Sequence, residues 1–339
     1  MSNVRLARGV RAVNMNVHTL MEMADNNFAI VNAFAKCWDI LGRYRNPVVS
    51  ISGGADSDIV LDMIYRLDDE HKCRYVWFNT GLEYSATKRH LIELEQKYNI
   101  QIERIPAVKS IPQCVKEYGQ PFISKNVSDN ISRLQLAGFD FSDGHNFEND
   151  IKAYPKVNTG IEFWHNRHTF KMWNIDRHKH LKEFIIANPP QFRISNKCCY
   201  YAKKITVKKF IRANNCDLNI IGIRKAEGGI REAVKSCFND NGVIAILRPV
   251  FWFKDEDKKR YCEIFGVTHS ECYTVYGLKR TGCAGCPFNR NLFSEIEQIR
   301  NYEGGLISAA SKVFAETYEY TRRYKEFYHA HQGATLSLF

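Results

Sequence analysis

The sequence predicts an α/β fold in which a parallel sheet is flanked by helices. Three observations support this. Apolar strands alternate with helical patterns from residue 46 onward, the first strand runs into a Ser-Gly-Gly turn that opens a helix, and the second strand ends in a comparable polar turn. At 339 residues and 45% hydrophobic content, the chain is long enough for a sizeable core and too apolar for general disorder.

Residues 18 to 42 read as an amphipathic helix leading into the first strand. Val48 to Ser52 reads as a buried strand and residues 58–67 as a helix, so Ser52-Gly53-Gly54-Ala55-Asp56-Ser57 is the turn between them. Glycines let the backbone approach a ligand closely, and the first N–H groups of the helix point at an anion along the positive end of its dipole. Ser52 and Ser57 add hydroxyl donors. The plain alternative is a Gly-Gly turn with Asp56 or Ser57 as a helix cap. Arg74 to Asn79 is a second strand ending in Thr80-Gly81-Leu82-Glu83, followed by a helix over 87–98 and a short strand over 100–105. Ligands of such sheets sit at the carboxyl ends of the strands.

Leu218 to Ile223 reads as a further strand, delivering Arg224 with Glu227 and Arg231 beyond it. A planar guanidinium at a strand end suits phosphate or sulfate, whereas Glu227 and Arg231 alone could be a surface pair one helical turn apart. Residues 306–331 read as a helical tail. The expected organisation is a helical lead-in over 1–45, a nucleotide-binding domain over 46–290 with an insert at about 126–190, and a helical segment over 291–339.

The Ser-Gly-Gly-x-Asp-Ser turn followed by Asn79-Thr80-Gly81 resembles the PP-loop ATP pyrophosphatases, and within them the phosphoadenosine phosphosulfate (PAPS) reductase family. No Gly-x-x-x-x-Gly-Lys-Ser/Thr is present, which excludes the P-loop NTPase motif. Gly222-Ile-Arg224-Lys-Ala-Glu227-Gly228-Gly-Ile-Arg231 is similar to a further motif of the family, with Gly228 in place of its Ser. Leu247 to Asp257 and Tyr276 to Cys283 resemble later family stretches, so the likeness covers about residues 20 to 290. Asn79 stands where the family usually has Asp. The resemblance implies an adenine nucleotide alpha-hydrolase-like, Rossmann-type sheet. It implies nucleotide binding by Ser52, Gly53, Gly54, Asp56, Ser57, Thr80, Gly81 and Glu83. Arg224, Arg231, Lys203 and Lys204 would take phosphate or sulfate, and Asp56 and Arg224 would be catalytic, with Mg²⁺ a candidate beside Asp56.

Eleven cysteines include Cys198-Cys199 and Cys283-Ala-Gly-Cys286. A Cys-x-x-Cys turn can present two thiolates to a metal, and it also serves zinc ribbons and redox pairs. The combination is similar to the cluster-bearing adenylyl-sulfate reductases and the DNA phosphorothioation ATPase. That likeness implies a [4Fe-4S] cluster on Cys198, Cys199, Cys283 and Cys286, with zinc as the alternative. Cys37, Cys73, Cys114, Cys216, Cys237, Cys262 and Cys272 read as small core hydrophobes.

No signal peptide pattern and no apolar run near the ~20 residues of a membrane span are seen, so the expectation is a cytoplasmic protein with reduced thiols and no membrane partner. Net charge is +11, and Lys197, Lys203, Lys204, Lys208, Lys209 and Arg212 flank Cys198-Cys199. They would hold a nucleotide's anionic end or track a nucleic-acid backbone, with Tyr200, Tyr201 and the Trp-rich insert as stacking surfaces, or simply form a solvated face. Five of the eleven His fall between His145 and His180 in no familiar metal spacing and read as structural.

The reductases resembled here use a cysteine in a C-terminal Glu-Cys-Gly tail, and no cysteine follows Cys286. The functional expectation is therefore ATP α-phosphate chemistry with pyrophosphate release, in sulfur metabolism or sulfur transfer, with a sulfur donor or reductant protein as partner. The cluster would order the site or relay sulfur. The alternatives are a PAPS or adenylyl-sulfate reductase taking its thiol from Cys237, Cys262 or Cys272, and a non-catalytic nucleotide or nucleic-acid binding subunit of a modification or defence complex.

Overall fold

The computed structural model describes residues 16–24, 27–228, 231, 233–240 and 242–336. The chain forms two compact units, one of residues up to 79, 83–106 and 206–282, the other of 80–82, 107–205 and 283 onward.

The first unit holds the sheet. Its strands are β1 (Pro47–Ile51), β2 (Arg74–Asn79), β3 (Ile102–Pro106), β4 (Leu218–Ile221), β5 (Phe238–Asn239) and β6 (Ala245–Leu247). They lie in the order β3-β2-β1-β4-β6-β5, parallel except for the β5–β6 pair. Val48, Val49, Val76, Leu218 and Ile220 are fully buried, as strands covered on both faces require. The chain leaves β1 toward β2 and β3 and returns on its other side as β4. The reversal point is therefore between β1 and β4, where ligands of open parallel sheets bind.

Helix Ala55–Leu67 buries Ile59, Val60, Met63 and Ile64 against the sheet. Its Asp62 is wholly buried and accepts from Tyr98 Oη and Tyr261 Oη at 2.8 Å and from Arg66 Nε at 2.8 Å. The single helix expected over 18–42 is two, Val17–Met23 and Phe28–Leu41. Asn27 starts the second by accepting the Ile30 N–H at 3.0 Å, a helix N-cap.

The second unit is helical and has its own aromatic core, in which Phe122, Phe163, Trp164 and Phe184 are buried with Tyr320. The C-terminal helices divide at Phe314 into Leu292–Val313 and Ala315–Leu336, so the helical tail read over 306–331 is the later part of a longer helical stretch. Trp164 is fully buried, edge-on to Phe139 and Phe141 at 5.6 and 5.5 Å, so it offers no stacking surface. Two of the histidines there are held by carboxylates. His145 pairs with Asp140 and Asp150, and His165 with Asp150 at 2.7 Å. Among the described residues no helix is long and apolar enough to cross a membrane.

Candidate functional site

The turn after β1 is built as the sequence suggests. Gly53 has φ +68°, a left-handed conformation that disfavours side chains, and a Cβ there would meet Thr87 Cγ2 at 2.5 Å. Gly54 precedes the first turn of helix Ala55–Leu67. Its N–H points at Ser52 Oγ (3.3 Å) and Ser57 Oγ (3.2 Å), and the Ala55 N–H donates to Tyr273 Oη at 3.1 Å. Hydroxyl oxygens thus stand where phosphate oxygens would, at N–H groups of a helix N-terminus. The Ser57 hydroxyl also donates to Gly54 O at 2.8 Å, which closes the turn on itself.

Arg224, just past β4, completes this site. Its side chain is buried; Nε lies 3.0 Å from Asp56 Oδ2 and one terminal nitrogen 2.9 Å from Asp255. Lys258 Nζ reaches the other Asp56 oxygen at 2.6 Å. Asp56 is therefore a carboxylate between two cations. Arg231 pairs with Glu227 at 2.6 Å, the surface pairing that the sequence also allowed.

The sequence named Gly222 only as part of a family-like motif and did not point to Lys258, Tyr273 or Thr281. A Cβ on Gly222 would lie 2.9 Å from Ser57 N and 3.0 Å from Asp56 C, so glycine lets β4's end press against the turn. Tyr273 accepts the Thr281 N–H at 3.2 Å as well as that of Ala55, pinning a distant segment to the turn. The signal for Lys258 was present in Phe253-Lys-Asp-Glu-Asp-Lys258, a helix start beside a strand end, but only the fold shows which carboxylate it meets.

Of the remaining predicted nucleotide residues, Glu83 is buried in the first unit, where Asn79 ends β2, paired with Pro106. Thr80 and Gly81 belong to the second unit, where Thr80 Oγ1 lies 3.5 Å from Cys283 Sγ.

The second unit gathers all four predicted cysteine ligands. The Cys283-Ala-Gly-Cys286 turn is fixed by the Ala284 N–H donating to Leu82 O (2.8 Å) and the Cys286 N–H to Cys283 O (3.2 Å). Gly285 has φ +62° and its carbonyl accepts from Tyr318 Oη, which leaves no room for a Cβ. Cys198-Cys199 opens a short helical turn that continues as a π-helix over Tyr200–Ile205.

The thiols influence one another electrostatically. The hydrogen bond with Cys198 lowers the Cys199 thiol to about 6 against the pull of burial, helped by Lys125, Lys203 and Lys204. The same bond, burial and the other three thiols push Cys198 up. Burial and Cys283 raise Cys286 to about 12. Among the described residues no three or more His, Cys, Asp or Glu side chains are close enough to hold one metal ion. The exposed Lys203 and Lys204 lie on the π-helix, and Tyr201 stacks on Tyr118 at 5.0 Å.

Residues 46–133, from β1 through the turn that follows it and beyond, match the model of the phosphoadenosine phosphosulfate reductase domain. That stretch is similar to the PAPS reductase domain. The matched segment carries Ser52 to Ser57 and Asn79 to Glu83, and Arg224 with the four cysteines lies outside it. Over 148 residues the chain is 28% identical to the uncharacterized protein MJ0066 of Methanocaldococcus jannaschii, covering 43% of this chain and 29% of that protein. The chain thus spans under a third of the length of that relative.

Among solved structures, a PAPS reductase of Candida auris, solved as a phosphate complex, aligns at TM-score 0.42 and 11% identity, over 83% of this chain and 98% of that one. The ammonia-dependent NAD synthetase of Campylobacter jejuni aligns at TM-score 0.36 and 10% identity, over 91% and 97%. The fold assignment itself rests on the sheet order and the parallel register described above.

Proposed function

We propose that this protein binds the phosphates of an adenine nucleotide at Ser52–Ser57 and Arg224 and activates an acceptor by attack on an ATP α-phosphate, with pyrophosphate as leaving group. The supporting observation is the convergence of a glycine-lined helix N-terminus with buried Arg224 and Lys258, all in one unit. Backbone donors and two cations would stabilise charge developing on the phosphoryl oxygens, and Asp56 holds both cations in place. When ATP enters, its phosphates compete with Asp56 for Arg224 and Lys258. The match of residues 46–133 to the PAPS reductase domain supports an adenine nucleotide as ligand and sulfur chemistry as its purpose.

The four cysteines fit a group that requires thiolate donors. Soft thiolates select iron–sulfur centres over hard cations, and Lys125, Lys203 and Lys204 would offset the negative charge of a cluster held by Cys198, Cys199, Cys283 and Cys286. Such a cluster would supply electron or sulfur chemistry. The thiolate character of Cys199 and the glycine turn at Gly285 are this chain's own contribution.

Product analysis tests the reading. Incubation with ATP and Mg²⁺ should give AMP-level product and pyrophosphate in equal amounts, stimulated by a sulfur donor. Formation of ADP and phosphate, or thiol-dependent sulfite release from PAPS without pyrophosphate, would overturn it, the latter in favour of a reductase.

A further inference from the structure

Cys262, read as a small core hydrophobe, packs against the first unit's core, but it is only partly buried and its thiol is paired. Its Sγ stands 3.4 Å from His269 Nε2, and His269 Nδ1 donates to Asp58 Oδ2 at 2.9 Å. Asp58 is fully buried in the first turn of helix Ala55–Leu67, so it fixes the imidazole's orientation while the thiol meets the opposite ring nitrogen. A nucleophile on one imidazole nitrogen and a buried carboxylate on the other is the arrangement by which side chains activate a thiol or hydroxyl. All three residues belong to the first unit, with the nucleotide turn. The ring of Tyr273, whose hydroxyl accepts the Ala55 N–H of that turn, lies 5.8 Å from the ring of His269.

We propose that Cys262, His269 and Asp58 form a nucleophilic thiol centre that takes a sulfur atom or a thiol adduct from a ligand containing an S–S bond. The proton of Cys262 passes to His269 Nε2, and Asp58 holds the resulting imidazolium. The thiolate attacks sulfur in R–S–SH or R–S–S–R, a new S–S bond forms on Cys262 as the old one breaks, and the departing RS⁻ takes the proton from His269. The products are Cys262–S–SH or Cys262–S–S–R and one RSH, so no external oxidant or reductant is needed.

The surroundings favour a charged imidazole. Burial opposes it, but the hydrogen bonds to Asp58 and Cys262 outweigh this and raise His269 to about 9. Asp58 is also faced by His90 Nε2 at 3.2 Å, itself bound to Glu93, and Lys97 and Tyr273 lie in electrostatic reach of the group. This proposal stands on the geometry of these side chains and does not depend on the adenylyl chemistry proposed above.

The full chain should be treated separately with glutathione persulfide and with glutathione disulfide, and the modified cysteines located by peptide mass mapping. Cys237, also partly exposed, serves as internal reference. Cys262 should react faster than Cys237 by about tenfold or more, and His269→Gln should remove that advantage while leaving Cys237 unchanged. The arm that modifies Cys262 identifies the donor, a gain of one sulfur marking persulfide transfer and a glutathionyl adduct marking disulfide exchange. Equal rates for Cys262 and Cys237 in the wild type, or a Cys262 rate indifferent to His269→Gln, would overturn the proposal. If His269→Gln loses its native circular dichroism, the wild-type comparison decides alone.

Discussion

Arg224, at the end of β4, holds the carboxylate of Asp56 in the turn after β1, Nε to Oδ2 at 3.0 Å. The two residues come from the strands on either side of the sheet's reversal point, so the ion pair marks where the chain's topology opens a crevice. Arg224 is buried and pairs with Asp56 and Asp255, while Lys258 covers the second Asp56 oxygen. Anionic phosphate entering there meets two cations already aligned.

Gly222→Ala should damage the site without touching a ligand. The new Cβ would meet the backbone of Asp56 and Ser57 at about 3 Å, and neither can yield as a side chain could. Loss of about 1–3 kcal/mol in urea unfolding and a weakened ATP affinity are expected. Gly304→Ala, on a helix with open space around its Cβ, should be neutral or slightly stabilising in the same assay.

The cysteine group gives a metal-content prediction. Protein purified without oxygen should contain iron and acid-labile sulfide, and both should fall sharply in Cys283→Ser and in Gly285→Ala, the latter because Tyr318 occupies the space beside Gly285. Zinc without sulfide would leave the four thiols as a structural clasp.

Stability should decline as pH rises through the alkaline range. Burial notwithstanding, Asp58 and Cys262 hold His269 above its usual 6.5, at about 9, so its protonated form stabilises the fold. That contribution is complete below about 6.5 and is lost as pH climbs through about 9, amounting to at most about 3 kcal/mol. His90 is raised too, against burial, by the same Asp58. Urea midpoints measured from pH 6 to 10 should fall across this window, and His269→Gln should flatten the fall.

Asp62 anchors the first unit's core. Asp62→Ala leaves Arg66 and two buried tyrosine hydroxyls without their acceptor and should cost about 3–5 kcal/mol. Tyr98→Phe removes one donor and should cost about 1 kcal/mol. Chemical denaturation of the two variants checks both values.

Much of the turn after β1 was legible because it is local. Strand, glycine pair, capping serine and helix follow one another in the sequence, and Gly53 shows the positive φ that such a turn needs. Arg224 was legible because a strand led to it. The packing role of Gly222, and Lys258 and Tyr273 altogether, were not, because these roles exist only once β4 lies beside β1 and residues after 250 return to the turn. The helix over 18–42 was read as continuous because apolar spacing persists along it, whereas Asn27 starts a second helix as its N-cap. The aromatic residues of the insert were read as stacking surfaces. They are instead the core of a second unit, and Trp164 lies at the centre of it. Cys262 looked like a small hydrophobe because His269 and Asp58, which change its character, are joined to it by tertiary contacts.

The most direct test of the account is a calorimetric titration of the full chain with ATP and Mg²⁺, in the wild type and in Arg224→Ala. One site per chain should be seen, with affinity reduced about tenfold or more in the variant, as expected from removal of a charge-assisted contact to phosphate. No heat up to millimolar ATP, or equal affinity in the two proteins, would contradict the assignment of the Ser52–Ser57 turn and Arg224 as a nucleotide site.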